Sequence, residues 1–180
     1  MENAMNYAEI KYNDIANGMG VRTSLFVSGC RHRCKNCFNA VTWDFAYGRP
    51  LDKETEEKIL QSVEPYWING LSLLGGEPFE PENQEALLGL LQEFHARYPE
   101  KDVWCYTGFT LEELLGKTDP PSRAVTPHTR ALLENIDVLV DGQYVEALHD
   151  IRLKFRGSSN QRVIDVKRTL SEGKIILYLE

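Results

Sequence analysis

The sequence has no long apolar run, no excess of positive charge and no repeat, and it carries only four cysteines in 180 residues. No apolar stretch approaches the roughly 20 residues needed to cross a bilayer, so no membrane partner is expected. Lysine and arginine number 20 against 27 aspartates and glutamates, a formal net charge of −7. That balance disfavours non-specific binding to nucleic acid. No internal repeat or low-complexity segment is visible. The first residues, Met1-Glu2-Asn3, are polar and acidic, unlike a secretory leader, so the expected location is a reducing cytoplasm where disulfides are uncommon. What is present is ordinary for a globular protein: 42% hydrophobic and 26% charged residues. At this length a single domain with one core, residues 1–180, is expected.

The few cysteines are not scattered. Cys30, Cys34 and Cys37 form C-x3-C-x2-C, directly after an apolar run (Leu25-Phe26-Val27) and a Ser28-Gly29 break. This reads as a strand delivering its end into a loop of thiols, and strand ends are where α/β proteins keep their chemistry. Cysteine binds Fe–S clusters and zinc as the thiolate, usually in fours. Here three are clustered, while Cys105 lies far off in the apolar run Val103-Trp104-Cys105-Tyr106. A tight loop can wrap three corners of a cubane and leave one iron without a protein ligand. A zinc site completed by His32 is the second reading, although structural zinc normally draws on two separated arms. Free thiols come last, because Arg31, His32, Arg33 and Lys35 flank the cysteines and imply solvent and negative charge. Those four residues would offset an anionic cluster. Cys105 reads as a buried packing residue.

Residues 1–20 read as an irregular lead-in, and Val21 to Ser28 as the first strand. Phe38 to Pro50 has no clear period. Asp52 can cap a helix running to about Val63, with acids early in it where the dipole favours them. Leu71 to Leu74 is a short strand ending at Gly75-Gly76, a pair that permits unusual backbone angles and close approach of a ligand. Glu77 is placed to accept a charge-assisted bond from an ammonium group. Asn83 can cap the next helix, whose Leu87, Leu88, Leu90, Leu91 and Phe94 are core. Val103 to Tyr106 is a third strand, ending at Thr107-Gly108. Thr110 to Glu113 matches a capping box. Thr126-Pro127 looks like a cap with proline at the first helical position. Ile136 to Val140 is a fourth strand, and Asp141 at its end is either a ligand contact or part of a plain Asp-Gly turn. Residues 156–162 form a polar loop with little reason to fold locally, and Lys174 to Leu179 is a last strand. Alternating strands and helices argue for parallel βαβ units. Right-handed crossovers would align Cys30, Gly75, Thr107 and Asp141 along one rim.

C-x3-C-x2-C followed by an aromatic, Phe38, resembles the signature of the radical S-adenosylmethionine (SAM) superfamily. Gly75-Gly76-Glu77-Pro78 resembles the same superfamily's GGEP segment, which contacts the SAM amino group. The resemblance implies an incomplete (β/α)6 barrel of parallel strands. It implies a 4Fe-4S cluster on Cys30, Cys34 and Cys37, with SAM chelating the open iron.

Within the superfamily the chain is similar to the activating proteins of anaerobic (class III) ribonucleoside-triphosphate reductases. Residues 17–23, 25–30, 104–108, 138–142 and 156–161 carry that similarity, and Arg156-Gly157-Ser158-Ser159-Asn160-Gln161 discriminates most. It implies SAM contacts at Asn36, Cys37, Phe38 and Gly76, with Gly75, Glu77, Thr107 and Asp141 as further candidates. It implies reductive cleavage of SAM to methionine and a 5′-deoxyadenosyl radical, which takes a hydrogen atom from a glycine Cα of the reductase. The implied partners are that reductase and a low-potential electron donor such as flavodoxin or ferredoxin. The related formate-lyase activators carry Asp followed two positions later by Lys near the SAM carboxylate; here Asp141 is followed by Gln143. Other readings are activation of another glycyl-radical enzyme, a small metabolite enzyme of the carboxy-deazaguanine synthase type, or a zinc-binding interaction module.

Overall fold

Alternating positions along the central strands go to opposite faces of one sheet, and that alternation builds the molecule. The computed structural model describes residues 5–180. Its strands are β1 (Asn6–Asp14), β2 (Val21–Val27), β3 (Arg49–Pro50), β4 (Ile68–Gly75), β5 (Asp102–Tyr106), β6 (Val138–Asp141), β7 (Arg162–Asp165) and β8 (Leu177–Leu179). They form a single sheet in the order β3-β1-β2-β4-β5-β6-β7-β8. The helices are α1 (Lys53–Ser62), α2 (Pro81–Arg97), α3 (Leu111–Leu114), α4 (Thr129–Glu134) and α5 (Val166–Glu172).

Leu25, Val27, Leu71, Leu73, Val103, Leu139 and Ile164 face the helices and pack with Ile59, Leu87, Leu90, Phe94 and Leu132. Each large side chain so buried contributes about 1.5–3 kcal/mol. The opposite face carries Trp104, Val138, Val140 and Val163, with Phe155 packed against them. Arg22 lies fully buried on this second face. Its Nε donates to Ser72 Oγ at 2.7 Å, Nη1 to the Met19 carbonyl at 3.0 Å, and Nη2 pairs with Asp102 at 2.6 Å. A buried guanidinium is tolerated only when bonded on all sides, and these bonds pin the turn between β1 and β2.

The expected barrel of parallel strands becomes a mixed sheet. Only β2, β4, β5 and β6 run parallel. β1 and β3 extend one side antiparallel, and β7 and β8 the other. The reason lies in the connections. A parallel return needs a long crossover, usually helical; the stretch between β6 and β7 is a polar strap whose only regular piece is a 3-10 turn at Glu146–Leu148. β7 therefore returns antiparallel.

The irregular lead-in is also corrected, because residues 6–14 pair with β2 as β1. Asp52 caps α1 as expected, accepting from Thr55 N at 2.8 Å, and Thr110 closes a capping box on α3. Two caps were misplaced. Pro81 takes the first turn of α2, so Asn83 lies inside the helix and donates to the carbonyls of Ser28 and Glu77. The Thr126 hydroxyl reaches Gln84 Oε1 on α2 instead, and α4 starts at Thr129.

Candidate cofactor site

The parallel strands end at one rim, and the cysteine loop leaves the end of β2. Its root is bonded on both sides. Gly29 N donates to the Thr42 carbonyl at 2.7 Å, and Glu77 N donates to the Gly29 carbonyl at 2.8 Å. Gly76 N donates to the Val27 carbonyl at 2.7 Å, which locks the Gly75-Gly76 turn against the thiol loop. Gly75 adopts φ +105°, and a Cβ there would lie 2.7 Å from Phe26 Cα; a Cβ on Gly76 would lie 2.7 Å from the Gly29 oxygen. Both glycines are therefore required by close backbone approach. Past Cys30 the chain coils tightly, with Arg33 at φ 51° and Asn36 at φ 56°.

Cys30, Cys34 and Cys37 all line a cavity of about 540 Å³. Asn36, Phe38, Gly75, Gly76, Glu77 and Thr107 line it as well, so the structure brings these expected residues together. Burial pushes the Cys30 thiol up to about 12; Glu77 and Glu80 add to this, and the backbone amides of His32 and Arg33 oppose it. Cys105 faces the helix-side core, fully buried, its thiol raised by that burial. It therefore lies on the other face of the sheet from Trp104 and Tyr106.

The donor set bears on the metal group. Structural zinc takes four protein ligands; the cavity offers three thiols, and His32 is bonded to Glu77. A cluster takes its thiolates on separate irons and can leave one iron without a protein ligand, which three thiols fit.

Glu77 and Asp141 are both bonded to groups of the protein itself. Glu77 is 1% exposed. Its Oε1 accepts from Phe79 N at 2.8 Å and Thr107 Oγ1 at 2.7 Å; its Oε2 accepts from Gly108 N at 2.7 Å and His32 Nε2 at 2.8 Å. Four protein donors thus use the carboxylate that the sequence reading had left for an ammonium. His32 is committed to Glu77 and not to the thiols, and it stands edge-on to Phe109 at 4.5 Å. Asp141 is buried and does not line the cavity. It accepts from Leu111 N at 2.8 Å at the start of α3 and pairs with Arg162.

The basic flank of the cysteines is also spoken for. Arg31 pairs with the buried Glu80 at 2.7 Å and with Glu82, and lies over Phe45. Arg33 lies over Trp43, and Lys35 pairs with Glu146 at 3.4 Å. These contacts tie the loop to α2, to the 146–148 turn and to the aromatic rings that follow the loop.

Two comparisons bear on this geometry. The family model for a 4Fe-4S single cluster domain matches residues 16–164. The anaerobic ribonucleoside-triphosphate reductase-activating protein of Vibrio cholerae is 42% identical over 159 residues, covering 87% of this chain and 96% of that protein. The protein of the same name from Escherichia coli K12 is 40% identical over 161 residues, covering 88% and 97%. The one from Enterobacteria phage T4 is 36% identical over 159 residues, covering 88% and 93%. The chain belongs to this family.

The stretch between β6 and β7, whose residues 156–161 carry part of the similarity, forms a wall of the cavity. Tyr144, His149, Phe155, Arg156, Gly157 and Gln161, all on the strap, line it together with the thiols. The segment expected to have no local structure is a closed knot. Gln161 Oε1 accepts from Gly157 N at 2.9 Å and Ser158 N at 3.1 Å, while its Nε2 donates to the Gly142 carbonyl at 3.0 Å. Ser158 Oγ donates to Asn160 Oδ1 at 2.7 Å, and Asn160 Nδ2 to the Gln143 carbonyl at 2.8 Å. The available signal was the density of side chains able to bond nearby backbone, which carries no period.

Proposed function

We propose that this chain activates an anaerobic ribonucleoside-triphosphate reductase through a 4Fe-4S cluster on Cys30, Cys34 and Cys37 and SAM bound beside it. The observation that carries the reading is that all three thiols line one cavity together with the Gly75-Gly76 turn, while the fourth cysteine lies in the core on the sheet's other face. When bound, the cluster and SAM supply the one-electron cleavage that lets a hydrogen atom be taken from a glycine of the reductase. The chain's part is to bind, orient and shield.

The three thiols would hold three irons. The main chain at Gly75 and Gly76, with no side chains to obstruct it, would lie against SAM, with Asn36 and Phe38 bordering it. Glu77 acts one step back: by binding His32, Thr107 and Gly108 together it ties the thiol loop to the end of β5. Phe38, 84% exposed at the cavity's edge, is available to meet an incoming loop of the reductase. The four parallel strands, whose ends carry the thiol loop, Gly75, Thr107 and Gly142, support reading the sheet as a reduced form of the incomplete (β/α)6 barrel, in one domain spanning the chain. A low-potential donor such as flavodoxin or ferredoxin would supply the electron in the cytoplasm. No membrane or nucleic acid enters this reading; among the described residues no helix is long and apolar enough to cross a membrane.

The test is anaerobic reconstitution with iron and sulfide, reduction with dithionite, addition of SAM, and quantification of 5′-deoxyadenosine. Cleavage that disappears in Cys30→Ala, Cys34→Ala and Cys37→Ala is expected. A protein that binds zinc, takes up no iron and leaves SAM intact would overturn the reading.

A further inference from the structure

The chain carries a net charge of −7, yet no aspartate or glutamate occurs between Asp14 and Asp44. The thiol loop, with Arg31, Arg33 and Lys35, lies inside that acid-free stretch. Beside the loop is a second groove of about 720 Å³, lined by Cys30, Arg31, Arg33, Val41, Trp43 and Phe45 among others. Cys30 and Trp43 line both this groove and the cofactor cavity. They are also bonded to each other, Cys30 N donating to the Trp43 carbonyl at 3.3 Å. One wall of the groove is thus a residue that would hold iron, outside the cavity assigned to SAM.

Cations and aromatic rings alternate on this surface. The Arg31 guanidinium lies 4.4 Å from the centre of the Phe45 ring, and that of Arg33 lies 5.2 Å from the centre of the Trp43 ring. The charge of Arg31 is matched by Glu80 and Glu82. Arg33 is exposed, and among the described residues no carboxylate pairs with it. The one acid on the groove, Asp44, accepts from Ala46 N at 2.9 Å. Val41 adds an apolar side chain that is 55% exposed. Electron transfer between proteins falls steeply with distance, so a donor must dock where a ligand of the acceptor comes near the surface. Such encounters are brief and bury less than about 1,200 Å². Opposite charge brings the partners together and orients them. A donor with an acidic face is repelled by the chain's net charge and attracted at this groove.

We infer that the groove is the docking surface for an acidic one-electron carrier protein, with Arg33 and Val41 among its contacts. The carrier gives up one electron and the cluster takes it; no bond forms or breaks. The inference rests on the reading that Cys30, Cys34 and Cys37 hold a cluster fed by such a carrier. It gives the electron donor and the reductase different surfaces.

Binding without turnover tests it. The cluster-loaded protein, unreduced and without SAM, is titrated calorimetrically with oxidised flavodoxin as the acidic probe. The wild type is expected to bind at low ionic strength and to weaken as salt is added. Arg33→Glu should weaken binding by about tenfold or more, and Arg33→Lys should retain most of it. Val41→Glu, outside the thiol loop, should weaken it as well. Iron content, and the glycyl radical formed with dithionite, which needs no docking, should match the wild type in all three. Wild-type affinity in both Arg33→Glu and Val41→Glu would overturn the inference. So would an equal fall of the dithionite-driven radical yield in both, which would assign the groove to the reductase. A wild type that binds neither flavodoxin nor a ferredoxin would instead remove the reading of the donor, and a wild type that takes up no iron would remove the cluster.

Discussion

Replacing Glu77 by glutamine separates a structural carboxylate from a ligand-binding one. The side chain is 1% exposed and accepts four hydrogen bonds, two at each oxygen. Glutamine keeps one oxygen and turns the other into a donor. Two of the four bonds are then lost, and two protein N–H or O–H groups face an NH2. A hydrogen bond to a charged group contributes about 1.5–3 kcal/mol, so Glu77→Gln should cost about 3–6 kcal/mol. At this chain length 1 kcal/mol moves the melting temperature by about 2–4 °C, which predicts a fall on the order of 10 °C. Thr107→Val removes one bond to Glu77 and should show a smaller fall, of about 5 °C. The assay is thermal unfolding of the metal-free protein followed by circular dichroism, so that neither cluster nor SAM contributes. A fall below about 3 °C in Glu77→Gln would show the carboxylate to be solvated in the free protein. That would refute the reasoning and return Glu77 to the role of an ammonium acceptor.

Cys105→Ser should leave the iron content unchanged after reconstitution and lower stability by about 1–3 kcal/mol, since a hydroxyl replaces a thiol in an apolar core; loss of iron would contradict the three-ligand assignment. Asp141→Asn should lower stability by about 2 kcal/mol in chemical denaturation by weakening the Arg162 pair and the Leu111 amide bond, with SAM affinity unchanged in calorimetry; weakened SAM binding at full stability would make Asp141 a ligand contact after all.

These predictions follow the line between what was legible in the chain and what was not. The thiol loop, the Gly75-Gly76 turn and the four parallel strands were legible because each has a local signature: a spacing, a glycine pair, or an apolar run closed by a break. Their convergence on one rim followed from crossover handedness alone. β1 was missed because its half-buried and exposed positions follow no clear period. The strap was missed because its order comes from side chains such as Gln161 and Ser158 bonding their own neighbourhood. Glu77 and Asp141 were legible as residues, but not the protein groups each is bonded to. An acid beside a cofactor site reads the same in sequence whether its lone pairs face a ligand or are taken up by backbone amides and an arginine. Only burial and partner geometry separate the two, and for both residues they favour the protein's own donors.

The most direct measurement is an electron paramagnetic resonance spectrum of the reduced, cluster-loaded protein mixed with SAM and a class III reductase. The account predicts a glycyl-radical doublet on the reductase that vanishes in Cys30→Ala, Cys34→Ala and Cys37→Ala and persists in Cys105→Ser. No doublet alongside full SAM cleavage, or a doublet that survives loss of any of the three loop cysteines, would contradict it.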